Sequence, residues 1–250
     1  MSKLDNLSSK SAFGMGIGTS LIIFFIVGFF VLLSMVMGGE DKGAKIAERD
    51  PGTVLKEAPA PSGNGGAQVK LAAITSDDHI LGNPDAPVTV VEFSDTECPF
   101  CKRFHSTMHQ LISEFDGQVN WVYKHFPLDS LHSKARKEAE ATECAAALGG
   151  NDAFWKYIDK IFEATPSNNG LDVSLLPVFA EEIGLDKAKF IDCLNSGQMA
   201  DTVANQLKQA GEAGGRGTPY SIIIANGKTT PVSGAVPYDQ LKSMIEPLLK

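Results

Sequence analysis

Val88 to Cys101 reads Val-Thr-Val-Val-Glu-Phe-Ser-Asp-Thr-Glu-Cys-Pro-Phe-Cys, and this stretch decides the fold. Its first half, Val88 to Phe93, is a β-branched run of the kind that fills a buried strand. Its second half is a C-x-x-C motif with proline directly after the first cysteine. From Lys102 to Phe115 the apolar residues Phe104, Met108, Leu111, Ile112 and Phe115 recur at helical spacing, so Cys98 falls at or just before the first turn of a helix. Pro99 then occupies a position where a missing N–H costs nothing. Strand, cysteine pair, helix is therefore the expected order.

Working outward, Asn83-Pro-Asp-Ala-Pro is turn-forming and Val119 to Phe126 reads as a second strand, parallel to the first because a helix intervenes. A long helical region follows: Ser133–Leu148, Asp152–Glu163, Val173–Ile183, Asp186–Leu194 and Met199–Ala213, each bounded by Gly, Pro, Asn or Ser. Strand character returns at Tyr220–Ala225, Asn226-Gly227 signals a type I′ hairpin into Thr229–Ser233, and Tyr238–Leu249 closes as a helix. The pattern is an α/β domain with a helical insertion over about 132–215.

A cysteine at a helix N-terminus meets unpaired backbone N–H groups and the positive end of the dipole, which favour the thiolate. With the first sulfur exposed and Cys101 one turn behind it, attack on a disulfide gives a mixed disulfide that the second thiol can resolve. Zinc is the competing use of Cys98, Cys101, His105 and His109. Four ligands on one continuous helix converge poorly, and zinc sites usually separate the two pairs by a long loop. No metal and no cofactor is expected, and His105 and His109 are read as solvated helix surface. Cys144 and Cys193 lie in separate helices and, in an exported protein, are expected to pair; two free buried cysteines are the alternative. Closing that loop would contribute about 4 kcal/mol in the chain-entropy model.

Glu-Phe at a strand end, then Cys98-Pro99-Phe100-Cys101, a helical insertion, and Gly217-Thr218-Pro219-Tyr220 before a strand together resemble the DsbA-type branch of the thioredoxin superfamily. The resemblance covers about residues 75 to 250. It implies a thioredoxin fold, a cis Pro219 whose turn with Thr218 faces the cysteine pair, and substrate contacts at Thr218, Pro219, Pro99 and Phe100. It also implies that Glu92, matching a buried acid of the family, moves a proton to or from Cys101. Strand alternation alone leaves open a Glu92 turned to solvent. Two departures bear on redox potential. Phe100 replaces a histidine of the best-known oxidant, and Thr218 replaces a valine. Glu97 beside Cys98 is expected to add like-charge repulsion and raise its pKa, so a less strongly oxidising enzyme is predicted.

The remaining sequence places this domain. From Phe13 to Met37 the chain is almost wholly apolar and no charge occurs between Lys10 and Glu40. A helix there extends roughly 37 Å, enough to cross a ~30 Å hydrocarbon core. A cleavable leader has a shorter apolar region and a small-residue cleavage site, which Ser34-Met35-Val36-Met37-Gly38 does not supply. The expected organisation is a cytoplasmic tail (1–12), a retained single-pass anchor in the bilayer (13–37), a Gly/Ala/Pro/Ser-rich linker (38–70) with an r.m.s. span of roughly 30 Å, and a domain (71–250) facing the periplasm or cell exterior. Gly14 and Gly18 form a G-x-x-x-G that could pair two anchors. A formal net charge of -8 without a basic stripe argues against nucleic acid.

The expected function is thus oxidation of exported client proteins that carry cysteine pairs, with reoxidation by a quinone-linked membrane partner of the DsbB or VKOR kind; the partner follows from the resemblance. Isomerase action, or reduction of a specific exported client such as an apocytochrome, is the alternative direction. A non-catalytic anchored module is the alternative class.

Overall fold

The computed structural model describes residues 69–250. The tail, the anchor, its G-x-x-x-G and nearly all of the linker lie outside the described residues. Among the described residues no helix is long and apolar enough to cross a membrane.

A five-stranded sheet in the order β1-β3-β2-β4-β5 organises the domain. Its members are β1 (His79–Leu81), β2 (Val88–Ser94), β3 (Val119–His125), β4 (Tyr220–Ala225) and β5 (Lys228–Ser233). β2 runs parallel to β3 and antiparallel to β4, with Glu92 opposite Tyr123 on one side and Ser221 on the other. Both neighbours of β2 are strands and both of its faces are covered, which is why its sequence is a continuous apolar run rather than an alternation. β5 is an edge, and Lys228, Pro231 and its exposed threonines suit a strand that must not recruit another. The turn into it uses Asn226 (φ 51°) and Gly227 (φ 70°), the left-handed pair that a type I′ turn requires.

Helix α1 (Pro99–Glu114) lays Phe104, Met108 and Leu111 onto one face of the sheet, against Trp121, Tyr123 and Ile223. Each such side chain contributes roughly 1.5–3 kcal/mol on burial. The opposite face packs Val91, Phe93, Val122 and Ile222 against α5 (Ala200–Glu212).

The insertion consists of α2 (Ala135–Ala164), a 3₁₀ turn at Val173–Leu175, α3 (Leu176–Glu182), α4 (Lys187–Ser196) and α5. Gly150, at φ 73° and ψ -165°, breaks α2 into the two helices that the sequence pattern separates at Gly149-Gly150. Their own core gathers Tyr157, Ile161, Leu176, Phe179 and Phe190. Cys144 of α2 and Cys193 of α4 form a disulfide with Cα atoms 5.9 Å apart, as expected. Helix α6 (Tyr238–Ile245) closes the domain and gives way to a 3₁₀ turn at Glu246–Leu249, so the last helix is shorter than its periodicity predicts.

Candidate active site

Cys98 is the N-cap of α1, with extended backbone (φ -80°, ψ 122°) and Pro99 just inside the helix. Asp95 builds the turn that delivers it. The Cys98 N–H donates to the Asp95 carbonyl at 3.1 Å, and the Asp95 carboxylate accepts from Glu97 N at 2.8 Å and from Leu128 N at 2.7 Å. His132 Nδ1 lies 3.0 Å from the same carboxylate. The Ser94-Asp95 pair carried a turn signal in the sequence, since aspartate commonly accepts from the N–H two residues on.

The Thr218-Pro219 peptide bond is cis and its turn covers the cysteine pair, as the resemblance implies. Cys98 Sγ stands 3.6 Å from the Thr218 carbonyl oxygen. That cover explains a departure from expectation: Cys98 is only 4% exposed, not open to solvent, while Cys101 is fully buried. Phe100, 54% exposed, is the apolar group the motif presents outward, with the Arg103 guanidinium 5.3 Å over its ring.

Electrostatics separate the two thiols. The Cys101 thiol, hydrogen-bonded to the Cys98 sulfur, is the largest influence lowering Cys98; burial opposes it, and Thr218 with the backbone N–H groups of Phe100 and Cys101 adds to the lowering, leaving Cys98 at about 6. Burial pushes Cys101 well above the ordinary thiol range, reinforced by Cys98 and by the charge of Glu92. Asp95 N donates to Cys101 Sγ at 3.4 Å. An exposed low-pKa sulfur and a deeper high-pKa one would suffice for exchange; here the same division exists with Cys98 covered by the Thr218-Pro219 turn and Cys101 buried in the core.

Glu92 is wholly buried, which removes the solvent-facing alternative. Burial pushes it up to about 8, with Ser94 and Trp121 pulling the other way and Cys98 adding to the rise. Neither carboxyl oxygen has a hydrogen-bond partner, and Ser94 Oγ, Trp121 Nε1, Tyr123 Oη and Ser221 Oγ nearby on the sheet are equally unpartnered. At neutral pH it is a protonated acid beside a buried thiol.

Glu97 does not act as expected. Its side chain turns away from Cys98 into the insertion, where it accepts from Thr165 Oγ1 at 3.1 Å, Gly170 N at 3.0 Å and Leu171 N at 3.1 Å. Asn168 N donates to its carbonyl at 2.8 Å. Ser167, Asn168 and Asn169 all have positive φ, a conformation that persists only where the surroundings enforce it. Glu97 is that enforcement, and the predicted rise of the Cys98 pKa on its account is replaced by a fall. Sequence reasoning missed this loop, although two adjacent asparagines, tolerant of the left-handed region, were a usable signal.

His105 and His109 are a second correction. His105 is 6% exposed and packed on Trp121 and Phe162, whereas His109 keeps part of its surface in solvent as expected; both imidazoles meet Asp159. They do not join the cysteines in a common site.

Residues 75–247 match the profile of the Thioredoxin_4 family, described as thioredoxin. The chain belongs to this family. Among solved structures it is similar to DsbA2 of Pseudomonas aeruginosa, at 28% identity and a TM-score of 0.60 over 71% of this chain and 97% of that one. It is equally similar to oxidised BdbD of Bacillus subtilis, at 28% identity and a TM-score of 0.60 over 69% and 93% of the two chains. Wolbachia pipientis alpha-DsbA1, 22% identical with a TM-score of 0.59, shares the fold. Curated relatives include the Na(+)/H(+) antiporters NhaA 1 of Mycolicibacterium gilvum, 31% identical over 60% of this chain, and NhaA 3 of Salinispora tropica, 34% identical over 58%. The chain spans only 24% and 21% of the length of those two proteins.

Proposed function

We propose that this chain is a membrane-anchored, extracytoplasmic thiol-disulfide oxidoreductase that introduces disulfides into exported proteins. The observation that carries the reading is Cys98 at the N-cap of α1, 3.6 Å from the Thr218 carbonyl oxygen of the cis-proline turn, with Cys101 fully buried behind it. In the oxidised enzyme a client thiolate attacks Cys98 Sγ, the Cys98–Cys101 bond breaks, and Cys101 leaves with the electron pair. Neutral Glu92 is the proton donor to that buried thiolate. The client's second thiolate then attacks the client sulfur of the mixed disulfide and expels Cys98, a good leaving group because its thiolate is stabilised. Two electrons pass from the client dithiol to the enzyme, and the client keeps the disulfide.

Thr218, Pro219, Pro99 and Phe100 form the client-binding surface, with exposed Phe100 as its apolar contact. The Cys144–Cys193 bridge supports an oxidising compartment. The uncharged, apolar run 13–37 supports a single-pass anchor, and the short N-terminal tail together with an oxidising compartment for the domain favours a cytoplasmic N-terminus. A quinone-linked membrane partner of the DsbB or VKOR kind would return the cysteine pair to the disulfide. The relationship to DsbA2 and BdbD supports exchange chemistry in general. One observation favours a less oxidising direction, isomerase or client-specific reductase: Phe100 supplies no imidazolium beside Cys98.

The equilibrium reduction potential of the full chain against glutathione, with Cys98→Ser as control, tests this. A value toward about -120 mV, where DsbA lies, supports the oxidase, and one near about -270 mV, the thioredoxin value, supports a reductase. A full chain with no Cys98-dependent transition would sink the enzyme reading.

A further inference from the structure

The geometry points to a divalent transition-metal site at His105, His109 and Asp159, beginning one turn along α1 from Cys101. The three donor atoms converge. Asp159 Oδ1 is 2.7 Å from His105 Nε2 and 2.8 Å from His109 Nε2, and the two nitrogens are 3.2 Å apart. Zinc with ligands at about 2.0–2.1 Å in tetrahedral array holds its donors roughly 3.3–3.4 Å from one another. To admit the ion, the two Asp159–histidine sides need to open by roughly 0.5–0.7 Å, while the histidine–histidine side already nearly fits.

The residue types and spacing fit the same reading. His105 and His109 stand one helical turn apart on one face of α1, the arrangement by which an i, i+4 histidine pair grips zinc. Asp159 comes from α2, so the ligands approach from two helices, which the single-helix cysteine–histidine combination could not achieve. Imidazole and carboxylate together suit Zn, Co, Ni or Cu rather than Mg or Ca.

Preorganisation is visible in the ring contacts. His105 meets Trp121 edge-on at 5.1 Å and lies against Phe162 at 4.4 Å, so its orientation is fixed by packing. Its Nδ1 is buried without a partner, which leaves Nε2 as the ring's only polar commitment. Lys102, which borders the same cavity, is directed elsewhere: its Nζ donates to the Thr165 and Glu163 carbonyls at 2.6 and 3.3 Å. A cavity of about 480 Å³, bordered by Ser106 and Glu163, opens beside the triad and leaves room for a water or a fourth donor. The ion would tie the helix that carries the redox cysteines to the insertion.

The test uses the full chain with Cys98–Cys101 oxidised, so that no thiolate competes, and Zn²⁺ followed by titration calorimetry, with Co²⁺ absorption as a second probe. The chain's other histidines, His79, His125 and His132, are all buried and lie apart from this triad. We expect one Zn²⁺ per chain, a rise in Tm on adding Zn²⁺, and a tetrahedral Co²⁺ spectrum without thiolate charge transfer. His109→Gln, at a partly exposed position, and Asp159→Asn should each weaken binding by at least about tenfold to a hundredfold, the loss that removing even an outer partner of a metal ligand causes. The Zn²⁺-dependent rise in Tm should vanish with it. Absence of Zn²⁺ binding by the oxidised chain, or binding that neither substitution weakens, would overturn the site.

Discussion

The floor beneath the cysteines and the seam between sheet and insertion are both buried and polar, yet they treat their polar groups in opposite ways. In the floor, Glu92, Ser94, Trp121, Tyr123 and Ser221 leave side-chain polar atoms without hydrogen bonds. Along the seam, Asp95, Glu97 and Glu143 are each held by two or more donors, and Lys124 is paired with Asp78 at 2.5 Å. Glu138 is the exception there: burial and its neighbour Glu97 push it up to about 8 against a pull from Thr96, and its oxygens are unpartnered. Unmatched buried polarity is costly, and natural proteins keep it where chemistry uses it. In the proposed mechanism the floor holds a proton ready, while the seam holds the architecture.

The largest test of that contrast is Glu97→Ala. It strands the Thr165 hydroxyl and the Gly170 and Leu171 N–H groups, and releases the left-handed run 167–169. With each buried orphan costing about 1–3 kcal/mol, we expect a loss of roughly 3–5 kcal/mol by urea unfolding. The Cys98 pKa, read from the pH dependence of alkylation, should stay near 6 if Glu97 is structural; a marked fall would restore the like-charge reading.

In the floor the sign reverses. Glu92 has its folded pKa raised from 4.5 to about 8, so its contribution favours the folded state below about 4.5 and turns into a cost as pH rises toward 8. Glu92→Gln removes that cost, and because neutral glutamate is equally unpartnered the swap adds little penalty. Stability at pH 7 should rise by roughly 2–3 kcal/mol, about 4–12 °C in Tm. Formation of the mixed disulfide, the step in which Cys101 leaves as a buried thiolate, should slow at the same time. A destabilised Glu92→Gln, or unchanged exchange across pH, would remove Glu92 from the mechanism.

Acid should break the seam before the floor. Burial alone would raise Glu143, but hydrogen bonds from His125 and His79 outweigh it and hold the carboxyl at about 2. A depressed carboxylate stabilises the fold above its unfolded value and loses that contribution as pH falls through the folded one. We expect a stability loss of roughly 1–3 kcal/mol between about pH 4.5 and 2, diminished in Glu143→Gln. Chemical denaturation at stepped pH reads it directly.

How much of this was legible follows from the range of the interactions. β2, the cysteine motif, β4 and the Asn226-Gly227 turn are set by local pattern, and the sequence reading placed them to within a residue or so. Gly149-Gly150 divided α2 at the right place. Cys144 and Cys193 met as compartment logic expected. What failed depended on a partner far along the chain. Asp159 stands 54 residues from His105, so helical spacing identified a shared face without saying that an acid from another helix meets it. Glu97 finds its donors 68 to 74 residues away, and adjacency to Cys98 was a misleading cue. Side-chain direction at a helix entrance is decided by what packs there, and no local pattern carries that.

The smallest expected effect concerns the exposed rim of the floor. Phe100 lies between the cysteines with more than half its surface in water, so a charge placed there is partly screened. Phe100→His would still put a protonatable ring beside the Cys98 thiolate, stabilising the reduced form at and below neutral pH. A stabilisation of about 1.4 kcal/mol corresponds to about 30 mV, and a more oxidising potential by on the order of that amount is expected. The shift should shrink as pH rises through the imidazole range and the ring loses its charge. Glutathione equilibria at pH 6 and pH 8 separate the outcomes: a shift present at both would trace to lost Phe100–Arg103 packing, and one confined to pH 6 to the imidazolium. The second result would mean that the rim tunes the potential by charge while the floor below it manages the proton, two controls on one sulfur pair that can be changed independently.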